Sequence, residues 1–231
     1  MYKFLTSISL ILLSSALYAQ KLVYEPDTTK ARFIPTGIRI GADAIGLTKS
    51  FVKDDYKQYE FQADIDFYRY FFNVEYGRME RSLINTQGNY QLQGSYFRLG
   101  PDINFLYKDP DKSALFFGLR YAFNNFSDQL TYTYTDAIYG DGEGTAANKD
   151  IKADWFELTT GMKVKILKVF WLGYTARFKF GVDTFERNAL IPYEIPGYGR
   201  ADKRSTWGFN YYLIFRLPLR KDPSIVEVQL D

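Results

Sequence analysis

The stretch Tyr59-Glu60-Phe61-Gln62-Ala63-Asp64-Ile65-Asp66-Phe67, with its continuation Phe72-Asn73-Val74-Glu75-Tyr76-Gly77, decides how this chain is read. Tyr59, Phe61, Ala63, Ile65 and Phe67 share one parity; Glu60, Gln62, Asp64 and Asp66 share the other. Successive side chains of a β-strand point to opposite faces, so strict period-2 alternation marks a strand with one apolar and one polar side. The pattern breaks around Tyr70 and Phe71 and restarts as Phe72, Val74, Tyr76 against Asn73, Glu75, Gly77. The two runs predict a hairpin with its turn at Tyr70 and Phe71.

The same alternation recurs on both sides of this hairpin. Upstream, Ile38, Ile40, Ala42 and Ala44 oppose Arg39, Gly41 and Asp43, followed by an expected loop from Lys49 to Lys57. Downstream, Phe97, Leu99, Ile103 and Phe105 oppose Tyr96, Arg98, Gly100, Asp102 and Asn104. Pro101 interrupts that run and predicts a bulge or an edge-like break, since proline cannot donate to a ladder. Leu115 to Phe123 then oppose Gly118, Arg120, Ala122 and Asn124, and the strand is read as continuing through Thr131 to Thr135. Phe156, Leu158, Thr160, Met162 and Val164 oppose Glu157, Thr159, Gly161, Lys163 and Lys165. Leu172 to Phe180 oppose Gly173, Thr175, Arg177, Lys179 and Gly181; Trp207 to Leu217 oppose Gly208, Asn210, Tyr212 and Arg216. That makes about eight strands near the ~9–11 residues a tilted membrane strand needs. No helical period of similar strength appears.

The connections alternate too. Turns after Tyr70, Tyr107 and Leu167 are short; those near Ser82–Asn89, Ala137–Asp150 and Phe185–Arg204 read as long loops. Short turns on one rim and long loops on the other are the layout of a transmembrane barrel. The expected fold is therefore all-β: a closed antiparallel up-and-down transmembrane β-barrel of about eight strands.

Volume decides which face points inward. An eight-stranded barrel has an interior only just wide enough for side chains or one small ligand, too small for all these Phe and Tyr side chains. The polar faces carry Gly41, Gly77, Gly100, Gly118, Gly161, Gly173, Gly181 and Gly208, as a crowded interior needs. The apolar rows are thus expected to face lipid. Inward-facing charges of both signs follow: Arg39, Arg98, Arg120, Arg177, Lys179 and Arg216 against Asp43, Asp64, Asp66, Glu75, Asp102, Glu157 and Asp183. Buried charges are paired as a rule, so these predict an ion-pair network plugging the lumen.

Composition agrees with this reading. Aromatic residues make up 19% of the 231, with 20 Tyr and 20 Phe. Mean hydropathy is −0.28. Net charge is +2, too near neutral to argue for nucleic acid. There is no Cys and no His, which removes thiolate chemistry, disulfides and the commonest general base. Residues 1–19 carry a secretory signal pattern: Lys3, the apolar run Ile8 to Leu13, then Ala16-Leu17-Tyr18-Ala19. Residues 20–35 are expected to form a periplasmic lead-in, 36–219 the outer-membrane barrel, and 220–231 a periplasmic tail. The DGEG stretch at Asp141 to Gly144 lacks the ligand spacing of an EF-hand, and a surface loop is favoured over a weak Ca²⁺ site.

The signal segment ending at Ala19-Gln20, the Tyr96-Phe97-Arg98-Leu99-Gly100-Pro101 segment and the aromatic final strand resemble small outer-membrane β-barrel proteins of the Bacteroidota, within a family of unknown function. The resemblance spans roughly residues 36–219 and brings no catalytic residues or cofactor. Many such barrels end on an aromatic residue, whereas this chain continues past Phe215 and Leu217 to Asp231.

Three functional readings follow. The first is a non-enzymatic integral outer-membrane barrel with long loops outside, acting as a structural or accessory subunit of an assembly or export complex. Its partners would be outer-membrane lipid and other outer-membrane proteins. The second is a small pore or a transporter of hydrophobic ligands. The third is an outer-membrane hydrolase using carboxylates such as Asp64 and Asp66; a Ser-His deacylase is excluded because there is no His.

Overall fold

The computed structural model describes residues 34–86, 88–136, 140–181 and 190–219. The segments expected to be the signal, most of the lead-in and the tail from 220, together with Asp183, lie outside them. Eight antiparallel strands close into a barrel: β1 (Gly37–Asp43), β2 (Tyr56–Phe67), β3 (Tyr70–Asn85), β4 (Gly88–Asn104), β5 (Ala114–Asp136), β6 (Gly140–Lys165), β7 (Phe170–Gly181) and β10 (Ser205–Pro218). Each pairs with its neighbour in sequence, and β10 returns to β1. A two-stranded ribbon of β8 (Glu194–Ile195) and β9 (Gly199–Arg200) lies in the connection between β7 and β10.

The alternation fixes the faces as expected. On β2, Phe61 is 49% exposed while Glu60 and Asp64 are each 1% exposed. The outward residues form an apolar belt whose upper edge is a girdle of rings. Tyr76 and Phe97 stand 4.9 Å apart, Phe97 and Phe123 5.6 Å, Phe156 and Phe180 6.1 Å, and Phe178 and Trp207 5.0 Å. Above it the outward face turns polar, with Lys57, Arg78, Ser95 and Asn125. Along β10 the belt runs from Trp207 to Leu217. With a rise of about 3.3 Å per residue and a tilt near 40°, it is about 25 Å tall.

The structure corrects several expectations about connections. The first hairpin turns at Tyr68 and Arg69, not at Tyr70 and Phe71: Phe67 pairs with Tyr70. Tyr68 takes a positive φ of 68°, and its amide donates to Asp66 Oδ1 at 2.9 Å, so an Asp side chain stabilises a turn without glycine. Ser82–Asn89 and Ala137–Asp150 are not long loops. β3 and β4 pair as far as Asn85 and Gly88, and β5 and β6 as far as Asp136 and Gly140. The hairpins rise above the belt as ladders, because Thr-Tyr alternation continues the strand beyond the apolar rows. Tyr132 and Tyr134 lie over Gly144 and Gly142, directly opposite them, where a Cβ would meet the rings within 2.6 Å.

Of the two outcomes expected at Pro101, the structure shows the break in pairing and not the bulge, with no shift of register. Pro101 pairs with Phe72, and the β4–β5 ladder skips Gly100 and Pro101 but resumes in step at Asp102 and Gly118. The register shift falls instead between Phe126 and Asp128, on the β5–β6 ladder. Finally, part of the expected Lys49–Lys57 loop is helical: α1 spans Ala44–Val52. Asp43 caps it, accepting from the amides of Ile45 at 3.3 Å and Gly46 at 3.0 Å. A nine-residue helix containing Gly46 is too short to leave a strong period.

Candidate functional site: the filled barrel interior

The inward parity of the strands supplies the site. One row round the wall reads Gly37, Asp66, Phe71, Asp102, Gly118, Thr159, Arg177 and Gly208, one residue per strand. The glycines of this row leave room for larger side chains to cross the interior. A Cβ on Gly118 would stand 1.9 Å from Asp102 Oδ1.

The upper tier joins three arginines to four carboxylates. Arg98 lies 2.9 Å from Glu60, 3.2 Å from Glu75 and 3.0 Å from Glu157. Arg177 reaches Glu75 at 2.8 Å and Glu157 at 3.1 Å. Arg120 holds Asp102 at 2.7 Å and approaches Glu75 at 3.6 Å. Neutral donors and acceptors complete the tier. Tyr96 donates to Glu60 at 2.6 Å, and Tyr212 also donates to Glu60. Trp155 Nε1 donates to Glu157 at 2.7 Å, and Arg177 Nε donates to Asn210 at 2.7 Å.

The lower tier is separate. Asp64 is gripped by Arg39 at 2.7 Å and by Lys163 at 2.6 Å, and the Arg39 guanidinium lies 4.0 Å from the centre of the Phe71 ring. Arg216 stands 3.5 Å from Asp66. The charges therefore form two tiers rather than one network. Asp43 joins neither: its carboxylate caps α1 and accepts from the Tyr211 amide at 3.1 Å. Lys179 bonds to backbone, donating to the carbonyls of Gly197 at 2.7 Å and Tyr198 at 3.2 Å.

Two members were absent from the expected set, Glu60 and Lys163, although both sit on the inward parity. Parity alone finds them; only the pairing shows that Lys163 reaches Asp64. No local pattern signalled the cover over these tiers. Residues 190–204 turn inward at the mouth, burying Ile195 and Tyr198. Asn124 donates to the Pro196 carbonyl at 2.9 Å, and Arg98 donates to the Gly197 carbonyl at 3.0 Å. Tyr198 packs edge-on to Trp155 at 5.6 Å. Met79, Tyr90, Leu92, Tyr96, Phe126 and Trp155 complete an apolar cluster around this inserted segment.

The chemistry available here is limited by the pairing. The carboxylates of Asp64 and Asp66 face cations and the Tyr68 amide, so they do not form the loosely held acid–base pair a hydrolase needs. Among the described residues, no cluster of three or more His, Cys, Asp or Glu could hold a metal ion.

A family model matches residues 1–222. The chain belongs to the family described as Domain of unknown function (DUF6048). A comparison with curated proteins finds no match. Among solved structures, Neisserial surface protein A (NspA) aligns with a TM-score of 0.41 and 11% identity, over 80% of this chain and 97% of that one. The attachment invasion locus protein Ail of Yersinia pestis aligns with a TM-score of 0.41 and 6% identity, over 80% of this chain and 99% of that one. Ail in complex with the heparin analogue sucrose octasulfate gives 0.38 and 8%, over 79% and 98%. At these scores the likeness transfers no residue role and no activity to this DUF6048 chain.

Proposed function

We propose that this DUF6048 protein is a non-enzymatic integral outer-membrane barrel whose charge-filled interior makes it a structural or accessory subunit of an outer-membrane assembly or export complex. The observation that carries the reading is the pairing of an apolar outer belt with an interior closed by ion pairs. A belt about 25 Å tall with a ring girdle suits a bilayer, and along the length of β1 the eight strands pair right round the ring, leaving no sheet edge open to lipid at that level. Inside, among the described residues, seven buried cations (Arg39, Arg98, Arg120, Lys163, Arg177, Lys179, Arg216) share the interior with the six buried carboxylates of the two tiers (Glu60, Asp64, Asp66, Glu75, Asp102, Glu157), while the buried Asp43 caps α1 and the buried Asp128 bonds to Tyr90 and Asn148. Such an interior favours rigidity over conduction. What remains for interaction is the outer surface and the tall hairpins, which suits a role beside other outer-membrane proteins.

Two measurements test this. Purified protein in planar bilayers is expected to give no stable single-channel conductance; a steady open channel would favour the pore reading. Tagged protein extracted from membranes is expected to bring other outer-membrane proteins with it. Recovery as a lone monomer after crosslinking in cells would count against the accessory role.

A further inference from the structure

The barrel wall is not made of strand all the way round. β1 has 7 residues, whereas its neighbours β2 and β10 have 12 and 14. The β1 ladder ends at Ala42–Phe61 on one side and Asp43–Tyr212 on the other. Above that level, Tyr56–Glu60 of β2 and Ser205–Tyr211 of β10 have no strand between them. α1 stands in the gap. Two inter-strand spacings make about 9.6 Å, and a helix with its side chains is about 10 Å across, so one helix fills the place of one missing strand.

Side chains take over the work of the ladder. Asp43 Oδ1 accepts from the β10 amide of Tyr211 at 3.1 Å. On the β2 side, the Gln58 amide donates to Ser50 Oγ at 2.6 Å, and Ser50 Oγ lies 3.0 Å from the Gln58 carbonyl it donates to. Gly46, one turn before Ser50, lets the helix close on that edge: a Cβ there would stand 3.3 Å from the Gln58 carbonyl and 2.9 Å from Asp43 Oδ2. The helix is therefore part of the wall, seated between the upper ends of β2 and β10, not a loop above it.

The last turn of α1 carries Phe51, 86% exposed, and Val52, 76% exposed. Belt residues shielded by their neighbours are far less open, such as Phe97 at 41%. On either flank stand the outward rings of Tyr59 and Phe61 on β2 and Trp207 and Phe209 on β10. Whatever bathes those rings also bathes the helix between them.

We propose that α1 is a bilayer-seated segment of the wall: Phe51 and Val52 enter the acyl region at the long-loop end, while Lys49 and Lys53 extend to the lipid headgroups. The basic residues lie two before Phe51 and one after Val52, close enough for their apolar stems to follow the same surface while the ammonium groups reach water. The occupant is lipid because the site is continuous with the belt on both sides. This inference rests on the reading of the barrel as membrane-embedded.

The chain has no Cys, so single-cysteine variants can be labelled without removing any. Phe51→Cys, Val52→Cys, Phe209→Cys and Gln129→Cys would carry a nitroxide in phosphatidylcholine–phosphatidylglycerol vesicles. Collision with oxygen and with a water-soluble nickel chelate would then be read by power saturation. Phe51 and Val52 are exposed, so labelling is not expected to unfold the barrel, and heat-modifiable gel migration checks this. The expected result is nickel accessibility several-fold lower at positions 51 and 52 than at Gln129, and comparable with Phe209. Equal nickel accessibility at 51, 52 and 129, with Phe209 still shielded, would overturn the inference alone. If Phe209 is as open to nickel as Gln129, the membrane reading itself fails, and this inference with it.

Discussion

Arg177 on β7 reaches Glu75 on β3 at 2.8 Å, and these two strands lie on opposite sides of the eight-stranded ring. The bridge therefore spans the interior rather than following the wall. Lys163 on β6 and Asp64 on β2, also opposite one another, do the same in the lower tier at 2.6 Å. Two cross-barrel bridges at different heights tie the wall together and close the lumen twice.

Removing one end of such a bridge leaves a buried charge without its partner. Arg177→Ala is expected to destabilise the barrel by about 3–5 kcal/mol, with trapped water lowering the figure. The Glu75→Ala/Arg177→Ala double variant is expected to lose less than the sum of the two singles, since contacting residues in one network couple. Heat-modifiable gel migration across a temperature series gives the comparison. Additive losses would show that the two side chains do not interact.

The outer belt gives a second prediction. Leu213 is 49% exposed within the belt, while Gln93 lies on the same outward face above the girdle. Leu213→Arg is expected to cost about 2–4 kcal/mol in urea titrations of the vesicle-inserted protein, and Gln93→Arg near zero. Asn210→Arg is a poor control, because Asn210 accepts the Arg177 Nε hydrogen bond inside the barrel. Equal costs at Leu213 and Gln93 would mean the belt does not face lipid.

The inserted mouth segment depends on Gly197. Its φ is +82°, and a Cβ there would lie 2.6 Å from the Tyr96 ring. Gly197→Ala is expected to undock residues 190–204 and speed tryptic cleavage at the exposed Arg200 and Lys203, leaving the strands intact. Conductance is expected to stay closed, because the two bridges lie deeper. An open channel in this variant would place the seal in the segment and not in the charges.

Topology is tested on whole cells. Protease added outside is expected to cut at Arg200 to Arg204 and spare Lys108 to Lys112, which sit on the opposite rim. Cleavage only at the short turns would reverse the orientation.

Much of this was legible from the order of residues alone. Strand identity, the choice of inward face and the burial of Arg98, Arg120 and Glu157 all follow from period-2 alternation and from the volume of a small barrel. Local chemistry was read less well. Asp66 stabilises a turn two residues earlier than the break in hydrophobicity suggested, and Asp43, read as a lumen charge, instead caps a helix.

The sequence by itself determined that this is a sheet with one apolar and one charged face, because that pattern is a property of each strand taken singly. Only the tertiary structure decided which charges meet. Arg177 and Glu75 are partners because closing the ring sets β3 opposite β7, a relation between strands far apart in the chain. The same closure decided that β1 stops at Asp43 and that α1 fills the wall above it. Asp43 marks the start of that helix locally, but its seat between β2 and β10 is a relation between segments far apart in the chain.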